Sequence, residues 1–95
     1  MSHADQASLD KLADLLRSIR AISGLREKSP GVFYLKSIPM LHFHQTDTET
    51  VADMKCVSPE VRGFDRWLLT TKAAQRELLA ELSRRCLALL EKKSR

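Results

Sequence analysis

A chain of 95 residues has room for one domain with one modest core, which excludes a multidomain architecture. Its 43% hydrophobic and 29% charged composition is that of a folded chain, not a disordered one. The net charge of +4 and pI near 9.4 permit an acidic partner without requiring one, because much of the surplus (Arg84, Arg85, Lys92, Lys93 and Arg95) sits where it would complement the negative end of a C-terminal helix.

Two cysteines, Cys56 and Cys86, are too few for a disulfide framework and lack Cys-x-x-Cys spacing, which argues against thiol redox chemistry and a cysteine zinc site. The N-terminus is polar, with none of the apolar run of a signal peptide, and no stretch has the length and apolarity of a membrane span. A cytoplasmic protein without a membrane partner is therefore expected, as a single domain over 1–95 with an ordered core of about residues 8–91.

Leu9, Leu12, Leu15, Leu16, Ile19 and Ile22 recur three or four apart, with Asp10, Lys11, Asp14, Arg17 and Arg20 between them. That period predicts one amphipathic helix, with Asp5 or Ser8 as its N-cap and Gly24 as a left-handed stop. Ser29-Pro30-Gly31 is a turn signal, and the β-branched and aromatic run Val32–Lys36 reads as a first strand. Beyond Pro39, Met40–His44 and Val51–Cys56 both alternate in polarity across the polar loop Gln45–Thr50, which predicts a hairpin. Ser58-Pro59 and Gly63 punctuate a second loop before a short fourth strand over Phe64–Leu69. Thr70 or Thr71 then caps a long helix striped by Leu78, Leu79, Leu82, Cys86, Leu89 and Leu90, with Glu81 and Arg85 as a favourable i,i+4 pair.

This order predicts an α+β fold: an N-terminal helix, an antiparallel β-meander of three to four strands and a long C-terminal helix, both helices packed on one sheet face. Closing the hairpin at Gln45–Thr50 sets His44 opposite Val51, His42 opposite Asp53 and Met40 opposite Lys55. Leu41, Phe43, Ala52 and Met54 then line the core, while Met40, His42, His44, Val51, Asp53 and Lys55 share the other face, with Lys36 nearby. Cys56 falls on the core side, which counts against a cysteine nucleophile.

His-x-His on one strand with a facing carboxylate is a candidate ligand set for Zn²⁺ or a similar divalent metal, from His42, His44 and Asp53. The same three side chains suit packing and hydrogen bonding, with Asp53 merely orienting His42, and this structural reading is the favoured one. Tyr34 and Trp67 beside Lys36, Lys55 and Arg66 would give a nucleic acid strand something to stack on and pair with. Gly24, Gly31 and Gly63 have neither Rossmann nor P-loop spacing.

The runs Gly31-Val32-Phe33-Tyr34-Leu35-Lys36-Ser37, Leu41-His42-Phe43-His44 and Ala52-Asp53 resemble the centre of a group of small bacterial proteins usually described as uncharacterised. More distantly, the helix–meander–helix order over about residues 9–90 is similar to the YjbR-like, double-wing fold. That fold implies a hairpin followed by a short lysine-bearing strand and a C-terminal helix, and with it a DNA-binding role.

The functional expectation is a small non-enzymatic binding module with no resident cofactor, using an open sheet face around His42, His44, Asp53, Lys36 and Lys55. Its rivals are a metal or acid–base site on His42, His44 and Asp53, and a nucleic-acid surface on Lys36, Lys55 and Arg66. A protein partner is compatible with this reading, and Leu79, Leu82, Cys86 and Leu89 have the spacing of a coiled-coil seam for self-association, although packing onto the sheet would use the same residues and is the expected use.

Overall fold

The helical period of the N-terminal segment is broken once. In the computed structural model, which describes residues 2–58 and 60–93, the expected single helix is two: α1 (Gln6–Asp10) and α2 (Ala13–Arg20). Pro59 and Arg95, noted above, lie outside the described residues. Asp5, not Ser8, is the N-cap of α1, its carboxylate accepting from the Ser8 N–H at 2.8 Å. The break at Lys11–Leu12 is a tight turn, the Leu12 N–H donating to the Leu9 carbonyl at 2.9 Å, and it keeps Leu9, Leu12, Leu15, Leu16 and Ile19 all buried.

The sheet is antiparallel and larger than the three to four strands expected. Its path is β2 (Leu25–Ser29), β3 (Val32–Leu35), β4 (Ile38–Gln45), β5 (Thr50–Lys55) and β6 (Phe64–Leu68), and a two-residue β1 (Ser2–His3) pairs with the end of β4. β2 escapes sequence reasoning because Leu25-Arg26-Glu27-Lys28-Ser29 is charged and does not alternate, as befits an edge strand. The Pro30-Gly31 turn joins it to β3. Gly31 is indispensable there: its φ is +75°, and a Cβ would come within 3.2 Å of Leu9 Cδ2 and 3.3 Å of Phe43 Cβ.

Lys36 is not the end of β3 but lies in the two-residue turn to β4, exposed and at φ 57°, a left-handed conformation that a residue with a Cβ adopts at a cost. Met40 also departs from expectation. Register slips between β3 and β4, so that Tyr34 faces Pro39 while Phe33 faces Leu41. Met40 is the extra residue of this bulge, and it turns inward beside Leu41, both fully buried, instead of lying outside opposite Lys55. Beyond the bulge the expected hairpin register holds from Leu41 opposite Met54 through His42–Asp53, Phe43–Ala52 and His44–Val51 to Gln45–Thr50.

The last helix, α3 (Lys72–Lys93), starts at Thr71, whose hydroxyl accepts from the Ala74 N–H at 3.0 Å. Leu78, Leu82 and Cys86 join Phe33, Leu35, Met40, Leu41, Phe43, Ala52, Met54 and the apolar residues of α1 and α2 in one core cluster. Leu82 and Cys86 are thus used within the protein and are not free to form the coiled-coil seam. Burial also pushes the Cys86 thiol up to about 11, so it stays protonated and unreactive.

A polar clamp fastens α3 to β6. Arg85, 9% exposed, forks onto the Asp65 carboxylate at 2.7 and 3.0 Å, donates to Glu81 at 2.7 Å and to the Lys55 carbonyl at 2.9 Å, and lies over the Trp67 ring. Such a buried cation is tolerated because its donors are satisfied. Arg84 and Arg85 together hold Glu81 down at about 2, and Arg85 holds Asp65 below the usual carboxylate range. The stability these carboxylates contribute is complete above their unfolded values and is lost as pH falls toward their folded ones.

Truncating Phe43, 1% exposed, should cost about 3–5 kcal/mol. Truncating Phe64, 42% exposed, should cost under about 1 kcal/mol. Urea denaturation of the two alanine variants measures both, and equal losses would contradict the division of the sheet into a core face and an outer one. Lys36→Gly should raise stability by about 1 kcal/mol, seen as a higher urea midpoint at unchanged slope, because glycine relieves the left-handed turn.

Candidate functional site: a ring row on the outer sheet face

Alternation along the paired strands sends one set of side chains away from the core cluster. On β4 and β5 these are His42, His44, Val51, Asp53 and Lys55; on β6, Phe64, Arg66 and Leu68; on β3 and β2, Val32, Tyr34, Arg26 and Lys28; and on β1, His3. The structure therefore gathers His42, His44, Asp53 and Lys55 on one face, as expected, and adds Arg66. It leaves Lys36 out, at the tip of its turn.

The rings of this face touch in sequence across the strands. Phe64 lies 5.1 Å from His42 between ring centres, His42 meets His44 edge-on at 5.8 Å, and His44 stacks on His3 at 5.4 Å with planes 17° apart. At the far side, the Lys28 ammonium sits 4.5 Å over the Tyr34 ring. His3 and Phe64 complete a row that sequence reasoning built only from His42 and His44. Phe64 could have been found from the alternation of β6, whereas a two-residue strand leaves no pattern from which His3 could have been placed.

Asp53 is the electrostatic centre. Arg66 forks onto its two oxygens at 3.0 and 3.2 Å, and His44 Nε2 lies 3.4 Å from Oδ2, which Arg66 shares. Asp53 does stand opposite His42 in the backbone register, but its carboxylate goes to Arg66 and His44, while the His42 ring is turned onto Phe64. The expected ligand trio is accordingly not assembled: among the described residues no group of three or more His, Cys, Asp or Glu side chains is placed to hold a metal ion.

His42 is half-buried, and its pKa is lowered chiefly by desolvation, then by the neighbouring His44 and His3, with Asp53 pulling weakly the other way. A neutral imidazole lying against a benzyl ring, their planes tilted by 34°, is a weakly polar aromatic surface. Around it stand Arg26, Lys28, Lys55 and Arg66, with Asp53 as the one carboxylate among the strand residues of this face. Planar rings inside a cationic margin suit a ligand that is itself planar and anionic.

No family model, curated protein or solved structure matches the chain. Among the described residues, no helix is long and apolar enough to cross a membrane.

The lowered pKa of His42 has a sign that can be measured. Below its ordinary value of 6.5 the unfolded chain takes up a proton that the folded chain resists, so stability falls as the pH is lowered through that value and is regained above it. Thermal melts of the wild type between about pH 7.5 and pH 5 should show this loss, and His42→Gln should flatten that part of the profile. An unchanged slope in the variant would mean that His42 is not the group responsible.

Proposed function

We propose that the protein is a non-enzymatic binding module whose contact surface is the outer sheet face, with the helices covering the other. Covering is supported by the shared core, which joins Leu9, Leu15, Leu16, Ile19, Leu78 and Leu82 to Phe33, Leu41, Phe43 and Met54. The observation that carries the proposal is the row Phe64–His42–His44–His3 set among Arg26, Lys28, Lys55 and Arg66. Its β6 end stays wet, Phe64 and the neighbouring Leu68 keeping 42% and 54% of their surface in water, so folding gains little from those two side chains.

Within this reading the favoured ligand is a single-stranded nucleic acid. Bases stack on aromatic faces without regard to sequence, and phosphates follow lysine and arginine, so both parts of the surface would be used. An acidic protein segment would use the cations but leave the rings idle. Acid–base chemistry has less support: the imidazoles contact one another, Phe64 and Asp53, and the buried Cys86 thiol belongs to the core.

Amide-resolved NMR titration with a short oligothymidylate, poly-L-glutamate and Zn²⁺, each added separately at low salt, tests the proposal. Oligothymidylate should shift His3, His42, His44, Val51, Asp53 and Phe64, and binding should weaken with salt by a logarithmic slope of roughly −0.7 per phosphate contact. Phe64→Ala should cost about 1–3 kcal/mol of that affinity. Shifts confined to α2 and α3, or none with any probe, would remove the outer face as the contact surface; a response to Zn²⁺ alone would replace it with the metal reading.

A further inference from the structure

We propose that two copies of the protein associate through the outer edge of β6, the strands running antiparallel about Arg66 so that one sheet continues into the other. This is independent of the ligand proposed above. The sheet path ends at β6, and among the described residues no strand pairs with its outer side. An unpaired edge presents backbone donors and acceptors that a second strand can satisfy.

The two edges of the sheet are treated differently. β2 carries Arg26, Glu27 and Lys28, has an irregular register between Glu27 and Ser29, and is tied to α2 by the Arg20–Glu27 fork at 2.7 and 3.1 Å. Charge, a bulge and a neighbouring helix are the usual devices that keep an edge from pairing. β6 instead concentrates apolar exposure. Of the large hydrophobics left exposed among the described residues, Val61, Phe64, Leu68 and Leu87, three lie on this strand or in the loop before it.

The sequence of β6 also matches itself. In an antiparallel pair centred on Arg66, residues whose numbers sum to a constant face each other, so Phe64 of one copy meets Leu68 of the other at both ends, on the outer face. Asp65 falls opposite Trp67, on the side of α3. Arg66 meets its own copy, but each guanidinium is already forked onto an Asp53 carboxylate, so the central contact joins two neutralised pairs and not two bare cations. A peptide from another protein would need a matching apolar–polar–apolar spacing, which a second copy supplies by symmetry.

An edge contact of five residues buries little area, so the dimer is weak and rapidly exchanging. It would join the outer faces of two copies into one surface, with the rings of both on the same side. Sedimentation velocity of the full chain from about 10 µM to about 1 mM should show the weight-average mass climbing from monomer toward dimer. Leu68→Lys and, separately, Phe64→Lys should weaken association by at least about tenfold, while Leu87→Lys, an exposed apolar position on α3, should behave as wild type. Both edge positions are exposed, so circular dichroism should show the fold retained. Amides of β6 should exchange more slowly at the higher concentration. A mass that stays monomeric throughout would overturn the proposal, and so would an equal effect of Leu87→Lys, which would put the contact on the helix.

Discussion

The two-residue alternation of β4 is the constraint on which the rest of the molecule depends. This strand pairs with β3, β5 and β1, so its side chains are read by three neighbours at once. Leu41 and Phe43, fully buried, can only point to the core, and in a strand that choice sends His42 and His44 to the opposite side. Shifting the register by one residue would bury two imidazoles and expose two large apolar groups. The core therefore specifies which face carries the ring row.

The same strand shows where the pattern needed help. Alternation carried back from Phe43 would put Met40 outside, yet the bulge inserts one residue and lets Met40 and Leu41 both face inward. Pro39, which lacks a backbone N–H, sits beside this irregularity, where a missing ladder bond matters least. Proline was visible in the sequence as an interruption, but whether it ended a strand or sat beside a bulge within one depended on β3, whose residues are distant only through a two-residue turn.

What could be read from the sequence was what periodic burial writes into it. The apolar stripes of the helices, the hairpin register from Leu41–Met54 to Gln45–Thr50, the strand at Phe64 and a threonine cap at Thr70 or Thr71 follow from spacing alone. What could not be read was held by contacts between distant segments. The edge strand β2 is made of charged residues and exists because Phe33 and Tyr34 give it a ladder to pair with. His3 joins the ring row because two residues of the N-terminus lie along the free end of β4. Asp53 turned from His42 to Arg66 because β6 places a forked cation within reach, and a bidentate guanidinium outcompetes a neutral ring for a carboxylate. The proposed contact face was thus half legible: its β4 and β5 members came from alternation, and its margins came from topology.

The two arginine–carboxylate clusters divide the molecule's electrostatics between its sides. Arg85 with Asp65 and Glu81 lies on the α3 side of β6 and ties that helix to the last strand, so its charges are consumed within the fold. Arg66 forks onto Asp53 on the other side of the same strand, on the outer face. Neighbouring residues of one five-residue strand therefore serve opposite ends, Asp65 and Trp67 packing inward while Phe64, Arg66 and Leu68 face out. A strand selected for stability alone would not leave Phe64 and Leu68 in water on an unpaired edge, because polar residues there would cost the core nothing. The proposed contacts rest on their exposure, and it is this, more than the positive net charge, that sets β6 and the ring row beside it apart from a face of charged residues alone.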